Sequence, residues 1–187
     1  MKGLIDSFGI LRDFNIAKFF IVESSSDLNK LKFPYYMKID SEKHKLNLGG
    51  VLFCKDLEEA EKNYKLLRNK FSERIVIQEE IKGIELILGI KKDDIFGFVL
   101  MLGFGGSKLS KEGITFRVLK LNRSEINNAL NEFDKDILKK YVYKEKLISF
   151  IEMICFLAEK KNIKEMDLNP IILSSKGPFI VDARIKI

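Results

Sequence analysis

The residues near the end of the chain carry the oxygen atoms that hard metal ions bind. Asp167 and Asn169 precede the apolar run Ile171–Leu173, a turn is predicted at Lys176–Pro178, and Asp182 follows the next apolar residues. This order predicts two strands joined as an antiparallel hairpin. Cross-strand neighbours come within about 5 Å, so Asn169 and Asp182 can face each other. A carboxylate and an amide oxygen suit Mg²⁺ when phosphates supply its other ligands.

The same hairpin residues also have a purely structural interpretation. Asp and Asn at strand ends often form Asx turns with their own backbone. The hairpin alone favours that interpretation for Asp167 and Asn169. The rest of the chain must decide between an Asx turn and a metal site.

Two residues earlier in the chain have side chains suited to phosphate chemistry. Lys38 interrupts the apolar and aromatic strand predicted at Tyr35–Ile39. It is either an outward-facing strand lysine or an ammonium directed into a cleft toward phosphate. His44 is the only histidine and shortly precedes Gly49 and Gly50. An imidazole can carry a phosphoryl group near neutral pH, although a single histidine in a loop is more often a surface residue.

A glycine-rich segment follows one of the predicted strands. Gly103, Gly105 and Gly106 come directly after the apolar run Phe96–Leu102. Closely spaced glycines can present backbone N–H groups to phosphate, but such segments often only form turns. The segment lacks the Walker spacing, and no helix opens directly after it as a Rossmann motif requires.

The elements that must position these residues alternate between helices and strands. Asp56 predicts the N-cap of a helix that runs to about Phe71 with one apolar face. Apolar residues at helical spacing predict further helices at about 4–14, 124–133 and 144–161. Short β-rich runs predict strands near residues 19–22, 33–39, 51–54, 75–81, 85–90, 96–102 and 114–119.

Composition and charge limit the classes of protein. The chain has 187 residues, is 46% hydrophobic, and contains only 3 Pro and 12 Gly, which is typical of a globular domain or two small subdomains. The net charge of +6 comes from 33 basic and 27 acidic residues that are interspersed along the sequence. That pattern favours a mixed surface over a nucleic-acid interface, for which charge is the only argument. A modest positive excess also suits an anionic ligand such as a nucleotide.

The sequence predicts a cytoplasmic protein that does not enter a membrane. It has no apolar run of about 18 residues, and Asp6 interrupts any signal-peptide pattern at the start. Cys54 and Cys155 lie far apart in apolar segments. They have no metal-binding spacing and form no disulfide framework, which fits a reducing compartment.

Taken in order, the motifs resemble the ATP-grasp β subunit of ADP-forming (NDP-forming) acyl-CoA synthetases. This group includes acetate–CoA ligases and, more distantly, the succinyl-CoA synthetase β chain. The matching segments begin at about residue 10 and reach the last residue: YYMKI, HKLNLGGV, IQEEIKGIELILGIKKDDIFG, VLMLGFGG, ITFRVL, EMDLNP and VDARI. The combination is specific, whereas no single segment is.

The resemblance implies an α+β (α/β) ATP-grasp fold. Two subdomains with mixed or antiparallel sheets would enclose a nucleotide cleft. Residues 1–80 would form the small, lid-like N-terminal subdomain, and residues 81–187 the C-terminal subdomain with the metal-binding hairpin.

The resemblance also assigns roles to individual residues. Lys38 matches the lysine that contacts the phosphates, and Glu85 an acid beside the nucleotide. Asn169 and Asp182 match the magnesium ligands, with Asp167 close by. The hinge that holds adenine through main-chain groups is matched by Gln78, Glu79, Glu80 and Ile81. The glycine-rich segment near the phosphates is matched by Gly103, Gly105 and Gly106. Arg117 matches a basic residue whose role stays open.

The implied reaction is acyl-CoA + ADP + phosphate ⇌ carboxylic acid + ATP + CoA, with Mg²⁺ and ATP or ADP in the cleft. His44 matches the histidine that relays a phosphoryl group between a phosphohistidine of an α subunit and ADP. That α subunit would carry the CoA-binding and acyl sites. No nucleic acid or membrane is expected as a partner.

Some residues depart from the family pattern. Asn47 stands where an acid is usual, and Ser110 and Glu112 are the candidates for a glutamate that follows the glycines. These changes motivate an alternative, a non-catalytic nucleotide-binding or assembly subunit. Retention of the phosphate-binding, relay and metal-binding residue types favours the catalytic interpretation.

Overall fold

The computed structural model describes residues 1–42, 48–105, 113–118, 120, 122–133 and 143–187. The predictions for His44, Asn47, Gly106, Ser110 and Glu112 lie outside these residues. The described helices are α1 (Leu4–Ile10), α2 (Leu57–Lys70), α3 (Arg123–Phe133) and α4 (Lys144–Lys160), with a 3₁₀ helix at Ser25–Lys30. The strands are β1 (Phe19–Val22), β2 (Tyr35–Ile39), β3 (Val51–Cys54), β4 (Ile75–Glu79), β5 (Ile84–Asp93), β6 (Gly97–Phe104), β7 (Ile114–Val118), β8 (Glu165–Ser174), β9 (Gly177–Ile180) and β10 (Arg184–Lys186).

The first four strands form a small antiparallel sheet in the order β1-β4-β2-β3. Helix α2 covers it and contributes Leu67 to a core shared with Met37, Ile39 and Ile77. The helix begins where the sequence predicts, because the Asp56 side chain accepts a hydrogen bond from the amide of Glu59 at 2.9 Å. Acidic residues in its first turn and basic residues in its last turn complement the helix dipole.

The remaining strands form a larger antiparallel sheet. Its order is β10-β8-β5-β6-β7, and β9 pairs with β8. Alternate residues of the central strands point into one core under α3 and α4, for example Leu88, Leu102 and Leu168. Two sheets with helices confirm the expected α+β architecture. Among the described residues, no helix is long and apolar enough to cross a membrane.

The chain passes from the small sheet to the large sheet between Glu79 and Ile84. Residues 80–83 form this connection. The division of the chain at residues 80 and 81 stays a prediction, but the change of sheet falls in the same place.

Helix α1 packs on the core of the large sheet although it precedes the small sheet in sequence. Leu4 and Phe8 are buried in that core, and the amide of Lys2 donates to the carbonyl of Ile185 at 2.7 Å. The Asp40 carboxylate, at the end of β2, accepts from the amide of Ile5 at 3.2 Å. One carboxylate therefore ties the beginning of α1 to the small sheet.

Two of the boundaries that differ from the sequence prediction lie at helix α1 and at the C-terminal hairpin. Helix α1 ends at Ile10 instead of near Phe14. Beyond the end of the helix, Phe14 packs edge-on against Phe150 with ring centroids 5.5 Å apart. At the C-terminal hairpin, Pro178 is not in the turn but pairs with Leu173 in β9. Proline is tolerated there because β9 has β8 as its only strand partner among the described strands, so it is an edge strand.

The two cysteines are buried and not bonded to each other. Burial is the main cause that raises the pKa of the Cys155 thiol to about 12, and the charge of Glu159 adds to it. Burial also raises the pKa of the Cys54 thiol. Both residues therefore stay as neutral thiols near physiological pH.

We expect Cys155 to react very slowly with a thiolate-selective reagent in the folded protein. At pH 8 its thiolate fraction should be roughly a thousandfold below that of an unfolded cysteine. The measurement is labelling by 5,5′-dithiobis(2-nitrobenzoate), with the modified site assigned by mass spectrometry and the guanidinium-unfolded chain as control. Similar labelling rates in the folded and unfolded states would show that the reagent reaches Cys155 on the inner face of α4.

The connection between the sheets depends on Gly83. A Cβ atom at this position would lie 2.2 Å from the carbonyl oxygen of Leu173, a backbone atom that cannot move aside. We expect Gly83→Ala to lower the free energy of unfolding by about 3 kcal/mol or more. Denaturant titration measures the change.

Gly9→Ala is the matched control for that substitution. Gly9 lies in α1, and an added Cβ would have nothing within 4 Å. Alanine should be neutral there or stabilise the helix by about 0.5–1 kcal/mol. Equal effects of the two substitutions would contradict the close approach at Gly83.

Candidate functional site

A cavity of about 270 Å³ lies where the two sheets meet. Strands β2, β3 and β4 form one wall, and β5 together with the β8–β9 hairpin forms the other. Seven of the residues singled out from the sequence line it: Lys38, Gln78, Glu79, Ile81, Glu85, Asn169 and Asp182. The other lining residues are Tyr36, Val51, Pro170, Ile172 and Val181.

Lys38 is the basic residue of the described cavity wall. Its side chain is buried, and its Nζ donates to Gln78 Oε1 at 2.6 Å and to the Val181 carbonyl at 2.8 Å. The same Nζ lies 6.0 Å from the centre of the Tyr36 ring. Lys38 is therefore not an outward-facing strand lysine. Its ammonium sits between the two sheets, where it can meet a bound anion.

Gln78 holds this ammonium from the next strand. Its side chain is 1% exposed, and its Nε2 donates to the Ala17 carbonyl at 3.3 Å. Ala17 in turn donates its amide to the carbonyl of Ile180 at 3.1 Å. Gln78 thus connects Lys38 to the segment that runs beside the C-terminal hairpin.

Asn169 and Asp182 lie across from each other on the C-terminal hairpin. The ladder pairs Ile171 with Ile180, and the amide of Val181 donates to the carbonyl of Pro170 at 3.4 Å. Continued by one position, this register places Asn169 opposite Asp182. Both residues line the cavity, as the hairpin prediction requires.

The donor set fits a magnesium ion that shares its coordination with phosphates. Asp182 Oδ1 also accepts from the amide of Ala183 at 2.8 Å, which fixes the carboxylate at the end of the hairpin. No group of three or more His, Cys, Asp or Glu with metal-binding geometry occurs among the described residues. On the hairpin, the described residues offer two oxygen side chains, Asn169 and Asp182, rather than a complete cage.

The acidic residues of the hinge are held in different ways. Glu79 Oε1 accepts from the amide of Lys18 at 2.8 Å. Glu80 does not line the cavity and lies 3.9 Å from the Lys82 ammonium. Glu85 is exposed at the cavity wall.

The surroundings of Tyr36 in this wall raise the pKa of its phenol. Partial burial raises its pKa, and the nearby carboxylates of Glu80 and Glu85 raise it further. Tyr36 therefore keeps its proton at neutral pH and can act as a hydrogen-bond donor. The charge of Glu80 thus acts on Tyr36, a residue of the cavity wall, although Glu80 itself does not line the cavity.

The two described glycines of the glycine-rich segment allow close packing. The amide of Gly105 donates to the carbonyl of Glu85 at 2.9 Å. A Cβ at Gly105 would lie 3.0 Å from the Leu86 carbonyl and 3.2 Å from Pro170 Cβ, which belongs to a cavity-lining residue. A Cβ at Gly103 would lie 3.0 Å from the Gly113 carbonyl. Neither glycine lines the cavity itself.

Arg117 and Asp167 are not brought to the cavity. Arg117 lies 2.5 Å from Glu132 of α3 in an ion pair and also donates to Thr115 at 2.8 Å. Asp167 pairs with Arg184 across the β8–β10 ladder in an ion pair. Both pairs lie outside the cavity wall.

Main-chain groups are the part of the site that sequence reasoning missed. The Val181 carbonyl accepts a hydrogen bond from Lys38, and the Ala17 carbonyl accepts one from Gln78. Every residue has a backbone carbonyl, so the residue type does not show which carbonyl will act in a site. Tyr36 could have been found, because it lies two residues from Lys38 and so on the same face of β2.

Comparison with known proteins gives the family. Residues 13–187 match the family model described as an ATP-grasp domain. The β subunit of ADP-forming acetate–CoA ligase I of Pyrococcus furiosus is 30% identical over 98% of this chain and 88% of that protein. ADP-forming acetate–CoA ligase II of Archaeoglobus fulgidus is 29% identical over 98% of this chain, which spans only 29% of the length of that relative.

A solved structure agrees with these sequence matches. It is the dinucleotide-forming acetyl-coenzyme A synthetase 1 of Ca. Korarchaeum cryptofilum in complex with coenzyme A and Mg-AMPPCP, with its phosphohistidine segment pointing towards the nucleotide binding site. The TM-score is 0.74 at 28% identity, covering 98% of this chain and 88% of that chain. With a family model matched over residues 13–187 and two antiparallel sheets around a cavity, the chain belongs to the ATP-grasp domain family, among the relatives of the β subunits of ADP-forming acetate–CoA ligases.

Proposed function

We propose that the chain is the β subunit of an ADP-forming acyl-CoA synthetase and binds Mg-ATP or Mg-ADP in the cavity between its sheets. One observation carries the proposal. The buried ammonium of Lys38 and the oxygen side chains of Asn169 and Asp182 meet in a single cavity. A polyphosphate held by one cation from the protein and one metal ion requires this combination.

The described residues would bind and orient the nucleotide. Lys38 would neutralise phosphate charge, and the connection from Gln78 to Ile81 would hold the base through main-chain groups. Asn169 and Asp182 would hold Mg²⁺, which when bound screens the charge that develops on the phosphates. Phosphoryl transfer needs such positioning and charge neutralisation more than covalent help from the protein.

The net reaction in this proposal is acyl-CoA + ADP + phosphate ⇌ carboxylic acid + ATP + CoA. His44 would take a phosphoryl group from a phosphohistidine of an α subunit and pass it to a terminal oxygen of ADP. In each transfer one P–N bond breaks, and the new bond forms to the His44 nitrogen or to the ADP oxygen. In sequence, His44 falls between β2, which ends at Ile39, and β3, which begins at Val51. Lys38 of β2 and Val51 of β3 both line the cavity.

The proposal includes an α subunit that carries the CoA-binding and acyl sites. Support comes from the name of the Pyrococcus relative, a β subunit of which this chain covers 88%. The Archaeoglobus relative is more than three times longer than the matched part, so the rest of such a protein is available for other sites. The described part of this chain contains no further domain beside the two sheets.

We expect saturable binding of ADP and ATP that depends on Mg²⁺ and on Asp182. Asp182→Asn removes the anionic metal ligand, so Mg²⁺-dependent affinity should fall by at least about tenfold. Isothermal titration calorimetry with and without Mg²⁺ measures it. Asp94→Asn is the control, because it makes the same charge change at an exposed residue that does not line the cavity.

The control variant decides how the Asp182 result is interpreted. An equal loss in both variants would show a general effect of charge rather than a metal site. Mg²⁺-independent binding that is unchanged in Asp182→Asn would overturn the assignment of the hairpin as the metal site. Absence of any nucleotide binding, alone and with the α subunit, would overturn the proposed function.

We expect His44→Ala, assayed together with the α subunit, to lose at least about a thousandfold in turnover while nucleotide affinity changes little. The imidazole is the group proposed to carry the phosphoryl intermediate, and nothing else in the variant replaces it. Incubation of the wild-type complex with ATP labelled with ³²P in the γ position should leave acid-labile label on this chain. Unchanged turnover would favour a different transfer route, and absent turnover in the wild-type complex would favour the non-catalytic assembly subunit.

A further inference from the structure

The contact between Gln78 and Lys38 is the most buried polar contact of the cavity. Lys38 is 5% exposed and Gln78 is 1% exposed, and their side chains meet at 2.6 Å. The two residues lie on neighbouring strands, since the ladder pairs Lys38 with Val76 and Tyr36 with Gln78. They are therefore diagonal neighbours on one face of the small sheet.

The chemistry of its two partners fixes the orientation of the Gln78 amide. An ammonium can only donate, so Oε1 must face Lys38. The carbonyl of Ala17 can only accept, so Nε2 must face Ala17. Reversing the amide would place two donors together at one end and two acceptors together at the other.

This double constraint distinguishes glutamine from its charged isostere. A glutamate at position 78 would still accept from Lys38, but it would set a carboxylate oxygen 3.3 Å from the Ala17 carbonyl, where both atoms are acceptors. It would also add a negative charge beside the ammonium that is to meet a phosphate. The amide oxygen of Gln78 and the Val181 carbonyl accept from Lys38 in two different directions, so these two bonds together orient its ammonium.

We propose that Gln78 is a positioning residue for Lys38: its side-chain amide, itself held by the Ala17 carbonyl, orients the ammonium in the cavity toward the phosphates of the nucleotide. This inference rests on the proposed function. It assigns Gln78 a side-chain role distinct from main-chain contact with the base. It also makes the residue at position 78 a determinant of selectivity for phosphorylated ligands over the bare nucleoside.

The first test compares ADP with adenosine in the Gln78→Glu variant. We expect the affinity for ADP to fall about 10- to 100-fold, because a carboxylate next to Lys38 opposes the phosphates. The affinity for adenosine should change less than about threefold. Gln78→Met is the matched control, since it removes both hydrogen bonds without adding charge and should weaken ADP binding less than Gln78→Glu does. An equal loss for ADP and adenosine in Gln78→Glu would overturn the proposal.

A double-mutant cycle separates positioning from loss of the Ala17 bond. In a Lys38→Met background, the neutral substitution Gln78→Met still loses the bond to Ala17 but has no ammonium left to orient. We expect the ADP-specific effect of Gln78→Met to be smaller in that background than in the wild-type background. Effects that add fully would mean that Gln78 acts independently of Lys38.

A third readout needs no nucleotide. Trace acetylation with acetic anhydride at pH 8, followed by mass spectrometry, reports how tightly Lys38 holds its proton. We expect Lys38 to be labelled fastest in Gln78→Met, more slowly in the wild type and most slowly in Gln78→Glu. The exposed Lys176 is the internal reference. Equal rates would overturn the role of Gln78. If the labelling rates follow the expected order but the protein binds no nucleotide, Gln78 still positions Lys38 and the proposed function is refuted instead.

Discussion

The buried ammonium of Lys38 is the interaction on which the arrangement of the two sheets depends. Lys38 belongs to β2 of the small sheet, whereas the Val181 carbonyl that it contacts follows β9 of the large sheet. A buried charge is costly unless its hydrogen bonds are made. Separating the sheets would remove one of these bonds, so the group proposed to bind phosphate also helps to hold the cavity together.

The backbone supports the same junction by close approach. Gly83 lies against the Leu173 carbonyl, and Gly105 lies against Leu86 and Pro170. Ala17 joins the junction from the other side through Ile180. The contact at Gly83 leaves no room for a Cβ atom, and the contacts at Gly105 are tighter than ordinary van der Waals contact. Strand β8, which carries Asn169, therefore packs closely against the connection between the sheets and against its neighbours in the large sheet.

Patterns in the sequence predicted features that depend on local chemistry. The N-cap at Asp56 follows from a single hydrogen bond within one turn, and the facing of Asn169 and Asp182 follows from the register of one hairpin. Both could be predicted because the interacting groups lie close together in sequence. The burial of Lys38 was harder to foresee, since its partners are 40 and 143 residues away.

Features that depend on long-range packing could not be read from the sequence. The apolar spacing placed Phe14 in α1, whereas it lies beyond the end of that helix and packs against Phe150 of α4. Arg117 and Asp167 have the right residue types for a nucleotide site. Their charges are instead paired with Glu132 and Arg184, and residue type alone does not tell which partner a charge will find.

The charge of the cavity bears on why a metal ion would be needed. Among its described lining residues, Lys38 is the one basic residue, whereas Glu79, Glu85 and Asp182 are acidic. The described wall therefore has a net charge of about −2. It would repel a nucleotide that carries only its own negative charges. In the proposed function, a divalent cation held by Asn169 and Asp182 would offset part of that repulsion, and Lys38, oriented by Gln78 and Val181, would contribute the positive charge of the protein.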